Sequence, residues 1–256
     1  MEQKKTKKRG IGYWILYLAL PVLILIVWEG ADLAGLIHSY SMPSPVAIVQ
    51  VTIEYIQNGQ LWTNIQVSLI RVLEGFFLAF ITSFVIGVNV AIFPKFDAFM
   101  DLVIQILRPI PPIAWIPLAI LWFGIGQGSK IFIIFLGAFF PIFLNTVDGI
   151  KNIDGKYFEL CEVYETPKIE LIKKVVIPGA LPSITTGIRL GVGNAWVCVV
   201  AAEMIGATSG VGYMLSNGRS LSRPDIVILG MLIVGIFGKI MDDILKKIRE
   251  KVIVWN

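Results

Sequence analysis

The chain has 256 residues, 56% of them hydrophobic and 16% charged, with a mean hydropathy of +0.77. Ordinary soluble domains are about 45–50% apolar, so this composition excludes a soluble domain and indicates an integral membrane protein. The net charge of +4 does not indicate nucleic acid, because the basic residues sit beside apolar runs instead of forming a stripe interleaved with aromatics.

The first ten residues carry Lys4, Lys5, Lys7, Lys8 and Arg9, and an apolar run follows from Ile11 to Trp28. Signal-peptide cores are about 7–15 residues, shorter than this run, so 11–29 is read as a retained first span behind a basic N-terminus at 1–10. Residues 30–68 contain no Lys or Arg and form an external segment. It holds His38, which alone cannot make a metal site, just before Ser41-Met42-Pro43-Ser44-Pro45. Further apolar runs at 69–93, 99–123, 129–147, 184–206 and 225–244 approach the ~20 residues that cross a bilayer. The expected fold is an all-α membrane protein with six transmembrane helices. Its core covers 69–247, including a polar loop at 148–183, and a tail occupies 248–256.

Cytoplasmic loops concentrate Lys and Arg. The N-terminus, Lys95, the 148–183 loop (Lys151, Lys156, Lys168, Lys173, Lys174) and the tail (Lys246, Lys247, Arg249, Lys251) are basic, which places both termini and that loop in the cytoplasm. Arg219 and Arg223 are exceptions in the last external loop. Cys161 and Cys198 have neither metal-ligand nor disulfide spacing.

In the second span Gly75, Ala79, Ser83, Gly87 and Ala91 recur every fourth residue. Small residues let helices approach closely in lipid, and a row that drifts by about 40° per step meets more than one neighbour, so this helix is placed at the bundle centre. The third span holds Arg108, Pro109, Pro111, Pro112 and Pro117. Proline removes a donor and clashes with the preceding turn, so this span is kinked or broken, and Arg108 and Pro112 are candidates to line a pathway. Gly124-Ile125-Gly126-Gln127-Gly128 lacks the strand–turn–helix setting of a phosphate loop and reads as a tight turn.

Ionisable residues within spans are costly and often functional. Arg71 and Glu203 sit at comparable depth near the outer ends of their spans, within reach of a pair; Glu74, three residues from Arg71, is the local competitor. Arg189, about a turn into the fifth span, reads as a side chain that snorkels to the interface. No constellation of His, Cys, Asp or Glu has catalytic spacing, so neither catalytic residues nor a metal site is expected.

The 148–183 loop contains FELCEVYETPKIELIKKVVIPGALP. Tyr157, Leu160, Cys161 and Tyr164 fall at i, i+3, i+4 and i+7, one apolar helical face, with Glu159, Glu162 and Glu165 directed away. Thr166 suits an N-cap and Pro167 the first turn of a second helix. There Ile169, Ile172, Val175 and Val176 oppose Lys168, Lys173 and Lys174, and Pro178 closes it. Two short helices at a turn form a docking surface.

This loop resembles the cytoplasmic loop of bacterial ABC-importer permeases. Glu159-Leu160-Cys161 stand for the family's Glu-Ala-Ala, Glu165 for its glycine, Val175 for its isoleucine and Ile177-Pro178 for its Leu-Pro. The glutamate at 165 departs from the pattern, and Thr166-Pro167 is expected to supply the break instead. LWTNIQVSLIRVLEGF, LRPIPPIAWIPLAILWFGIG, FFPIFLNTVDGI, PGALPSITTGIRLGVGNAW and AAEMIGATSGVGYML are similar to the nitrate, sulfonate and taurine branch. The resemblance implies a multi-pass permease in a bacterial or archaeal cell membrane, importing a small solute such as nitrate, a sulfonate or taurine. It implies partnership with a second permease copy, two cytoplasmic ATP-binding subunits and an extracytoplasmic solute-binding protein. The docking residues would be Glu159, Leu160, Cys161, Glu162, Glu165, Thr166, Pro167, Ile177, Pro178 and Gly179. The chain lacks a G-x-x-x-x-G-K-[ST] loop, so no cofactor is expected in it and the partners would bind ATP. An ion-coupled secondary transporter is the alternative; it would be expected to carry an inverted repeat, and the proline-rich span has no second copy.

Overall fold

A computed structural model describes residues 11–36 and 42–253; His38, the basic N-terminus at 1–10 and the last three residues of the tail lie outside them. Every regular element among the described residues is helical: α1 (Ile11–Leu33), α2 (Pro45–Gln57), α3 (Gln60–Ile92), α4 (Pro94–Leu107), a 3-10 turn (Pro112–Trp115), α5 (Ile116–Phe123), α6 (Gln127–Lys151), α7 (Gly155–Val163), α8 (Lys168–Leu171), a π turn (Ile172–Val176), α9 (Ile177–Glu203), α10 (Val211–Ser220) and α11 (Pro224–Val252).

Four helical stretches are long and apolar enough to cross a bilayer: Gln60–Ile92, Gln127–Lys151, Lys168–Glu203 and Pro224–Val252. A fifth crossing results if α4 and the helix from Pro112 to Phe123 count as one broken span, bent by 87°. The expected break in the third span is therefore present, and its prolines explain it. Pro109, Pro111 and Pro112 cannot donate to the helical ladder, and the chain restarts at Pro112 as a 3-10 turn. The first expected span coincides with α1, whose principal contact is α2.

The segment 30–68 is more helical than expected. Ser44 caps α2 by accepting from the Ala47 amide at 3.2 Å, with Pro45 at its first turn. Helix α3 begins at Gln60, well before 69. Its opening turns hold Gln60, Thr63, Asn64, Gln66 and Ser68, so the apolar run starts late although the helix does not. Leu61 and Ile65 anchor this early part in a cluster with Val51, Tyr55, Met214 and Leu229.

Helices α3, α6 and α9 form the centre. Gly75 of α3 faces α6 so closely that an added Cβ would lie 2.6 Å from Ile134 Cγ2. Ala79 joins a cluster that includes Ala138 of α6 and Ala195, Trp196 and Val199 of α9. The small-residue row thus touches two neighbours, as its drift requires. In lipid this close van der Waals packing, rather than exclusion from water, holds the helices together.

Candidate functional site

Two groups of candidate residues lie at opposite ends of the bundle. At the basic end, where α3, α6 and α11 finish and α9 begins, α7 and α8 form a corner. Asp154 starts α7 by accepting from the Lys156 amide at 3.0 Å. Helix α7 ends in a Schellman arrangement: the Thr166 amide donates to the Cys161 carbonyl at 2.8 Å and the Glu165 amide to the Glu162 carbonyl at 3.0 Å. That geometry needs a left-handed residue, and Glu165 takes it with φ 48°. The expectation that Thr166-Pro167 would replace the family glycine is thus corrected. Glu165 makes the turn itself, at the cost of the Cβ crowding that glycine avoids.

The second helix also differs from expectation. Pro167, not Thr166, occupies the N-cap position, and no side chain caps α8. Nor does Pro178 close the helix, which continues unbroken from Lys168 to Glu203. The π turn makes this possible: the Ile177 amide bonds the Ile172 carbonyl, shifting the ladder by one residue immediately before the proline that has no donor. The inserted residue also rotates the apolar face. Val176 is buried and Leu171 packs with Phe158 against Ile150, Ala180 and Ile184, whereas Ile169 is 67% exposed.

The apolar face expected on α7 points away from the protein. Tyr157, Leu160 and Tyr164 are exposed, as is Val163, and Cys161 is half-buried. Glu159, Glu162, Pro167 and Gly179 are exposed; Thr166, Ile177 and Pro178 are half-buried. The corner is tied to the bundle where α3 meets α4: the Lys168 ammonium lies 5.5 Å from the Phe93 ring centroid, a cation–π contact. Nearby, Lys151 Nζ is 2.6 Å from Asp97 Oδ2.

At the far end, Arg71 of α3 and Glu203 of α9 pair with Nη1 to Oε1 at 2.6 Å, and their side chains are 5% and 0% exposed. Glu74 is exposed, so the long-range partner prevails over the local one. The pair is fully dressed. Ser68 Oγ donates to Glu203 at 2.7 Å, and the Gly212 amide donates to Oε2 at 2.9 Å. Arg71 Nε donates to Gln127 Oε1 at 2.6 Å, and Nη1 to the Ser209 carbonyl at 2.7 Å. The loop between α9 and α10 is stapled to α3 by two more bonds: the Gly210 amide to Asn64 Oδ1 at 2.8 Å and the Val211 amide to Ser68 Oγ at 2.9 Å. Gly210 has φ 120°, and a Cβ there would fall on the Glu203 carboxylate, so the glycine admits the charge. Lys130, also buried, donates to the Gly126 carbonyl at 2.9 Å.

Asn64, Ser68, Gln127 and Lys130 were not expected in this cluster, although a lysine near the start of a span is a visible signal in the sequence. Arg189 does not simply snorkel: it forks onto Asp242 of α11, with Nη2 to Oδ2 at 2.7 Å. Arg223, out of place by the charge rule, is held by Asp225 at 2.7 Å and lies 3.6 Å from Glu54. Arg108 and Pro112 sit on either side of the break after α4, remote in sequence and in contacts from the Arg71 cluster. Gly124 to Gly126 joins α5 to α6 as the expected tight turn. Among the described residues no group of His, Cys, Asp and Glu could hold a metal.

Residues 75–252 match the family model described as "Binding-protein-dependent transport system inner membrane component". The chain belongs to this family of ABC-transporter permeases. It is 38% identical to the putative aliphatic sulfonates transport permease protein of Bacillus subtilis over 99% of this chain and 92% of that one. It is 40% identical to a putative ABC transporter permease protein of Methanocaldococcus jannaschii over 94% of this chain and 92% of the relative. The taurine transport system permease protein of Escherichia coli is 30% identical over 93% and 88% of the two chains. Among solved structures, a chain of the MetNI methionine ABC transporter in inward-facing conformations is similar with a TM-score of 0.57 and 16% identity, over 77% of this chain and 97% of that one. That likeness supports the fold. The protein is thus a multi-pass membrane permease, and its relatives are transport subunits rather than enzymes.

Proposed function

We propose that the chain is the membrane-spanning permease subunit of an ATP-driven importer, with α7 and α8 as the cytoplasmic docking corner for ATP-binding partner subunits. The observation that carries this reading is the outward-facing apolar surface of α7, with Tyr157 at 57%, Leu160 at 54% and Tyr164 at 78% exposure, at the end of the protein richest in Lys and Arg. A surface of this kind beside water fits a protein partner. Glu159, exposed beside it, meets a basic or polar group of that partner. On this reading α1 is a sixth span, both termini are cytoplasmic, a second permease copy completes the translocation path, and an extracytoplasmic binding protein delivers the solute. ATP is bound by the partners and by no residue of this chain.

Force has a continuous route. Helix α8 runs without interruption into α9, which ends at Glu203 in the far-end cluster, so tilting the corner moves one stiff rod through the membrane. The cargo is a small sulfonate or similar oxyanion, in line with relatives named for aliphatic sulfonates, taurine and bicarbonate. In proteoliposomes containing the chain, its ATP-binding partner and the cognate binding protein, uptake is expected only with ATP on the partner's side. Uptake against a gradient by the chain alone would overturn the reading.

A further inference from the structure

Helix α4 carries a polar stripe that a lipid-facing helix would not keep. Asp97, Asp101, Gln105 and Arg108 recur at steps of four, four and three, which is one helical face, and all four line a cavity of about 690 Å3. Val90 of α3 and Phe143 of α6 form part of its opposite wall. Most of the polar lining is already engaged. Lys151 is bound to Asp97 at 2.6 Å, and Gln105 donates to Asp101 Oδ2 at 2.7 Å. The Arg108 guanidinium has no hydrogen-bond or ion-pair partner among the described residues.

Arg108 is also deep. It is the C-cap of α4, which begins at Pro94; at ~1.5 Å per residue it lies roughly 20 Å along the helix axis from the basic end, exposed at the cavity, and on the importer reading that distance puts it within a hydrocarbon layer about 30 Å thick. Guanidinium cannot shed its charge. The α4 C-terminal dipole offsets only about half a charge, so a permanent cation at this depth calls for water and a counter-charge. The lining is dipolar, with the Asp101 carboxylate, which no cation neutralises, toward the basic end and Arg108 at the break.

Building on the importer reading, we propose that this cavity binds the anionic group of the cargo, a sulfonate or similar oxyanion, through the Arg108 guanidinium. The planar fork of arginine suits the paired oxygens of such a group. Pro109, the first residue past Arg108, also lines the cavity, so the site ends where the chain turns by 87°.

Reaction of a cysteine beside Arg108 with charged thiosulfonate reagents tests this. Ile104, one turn before Arg108, lines the cavity, so Ile104→Cys is introduced with Cys161→Ser into the complex with its ATP-binding partner, in lipid nanodiscs. The sulfonate-bearing reagent is expected to react faster than the trimethylammonium reagent. The ratio of the two rates should fall at least fivefold with Arg108→Gln and persist with Arg108→Lys. An unchanged ratio in Arg108→Gln, or a cysteine closed to both reagents because lipid or the second permease fills the cavity, overturns the proposal. The ratio is read without ATP, whereas ATP hydrolysis stimulated by the binding protein is recorded separately on the same preparation. Failure of the importer reading therefore appears in the second measurement and failure of the anion site in the first.

Discussion

Replacing Arg71 with alanine is expected to destabilise the protein by about 3–5 kcal/mol, because it strands a carboxylate in a site with no access to water. Glu203 is 0% exposed, and its remaining donors, the Ser68 hydroxyl and the Gly212 amide, are neutral. In detergent this corresponds to a fall in midpoint of roughly 10 °C, taking about 2–4 °C per kcal/mol for a chain of this size. The Arg71→Ala/Glu203→Ala double variant should be markedly more stable than the sum of the single losses predicts, since both charges then leave together. Exchanging the two residues should not restore stability. The surroundings are not interchangeable: the Glu203 side offers donors, whereas the Arg71 side offers the Gln127 and Ser209 oxygens. A midpoint within roughly 2 °C of the parent in Arg71→Ala, less than the shift about 1 kcal/mol produces, would show that Glu203 is not held by this pair.

The second large effect concerns docking. Leu160→Asp removes an apolar side chain whose burial is worth about 1.5–3 kcal/mol and puts a charge in its place. At about 1.4 kcal/mol per tenfold change, affinity for the ATP-binding partner should weaken by about 10- to 100-fold, measured by titration of the purified subunits. The melting midpoint of the permease alone should be unaffected, because Leu160 is already 54% exposed. Glu159→Arg should likewise abolish partner-coupled ATP hydrolysis without altering the fold. Undiminished affinity in Leu160→Asp would place the docking surface elsewhere.

Much of this architecture is legible in the residue order. Run length locates the cores of the long spans, the proline cluster marks the break after α4, and depth alone brings Arg71 to Glu203. Other features depend on long-range or backbone effects that pattern does not carry. The start of α3 is hidden because its buried polar residues face the α9–α10 loop, where Asn64 and Ser68 bind backbone amides. The continuity of α8 with α9 is hidden because Pro178 normally ends a helix; one inserted residue in the π turn re-aims the ladder. Glu165 misleads for a related reason, since a left-handed φ of 48° on a glutamate is set by the Schellman bonds around it and not by its own preference. The Arg189–Asp242 fork joins residues whose proximity follows only from the packing of α9 on α11.

The orientation and purpose of the α7–α8 corner are tested most directly by side-specific labelling of Tyr164→Cys, in a Cys161→Ser background, within sealed vesicles of known polarity. A membrane-impermeant maleimide is expected to reach this position only from the cytoplasmic face, and bound ATP-binding subunits to reduce its rate at least tenfold. Labelling from the opposite face, or an equal rate with and without those subunits, would contradict it.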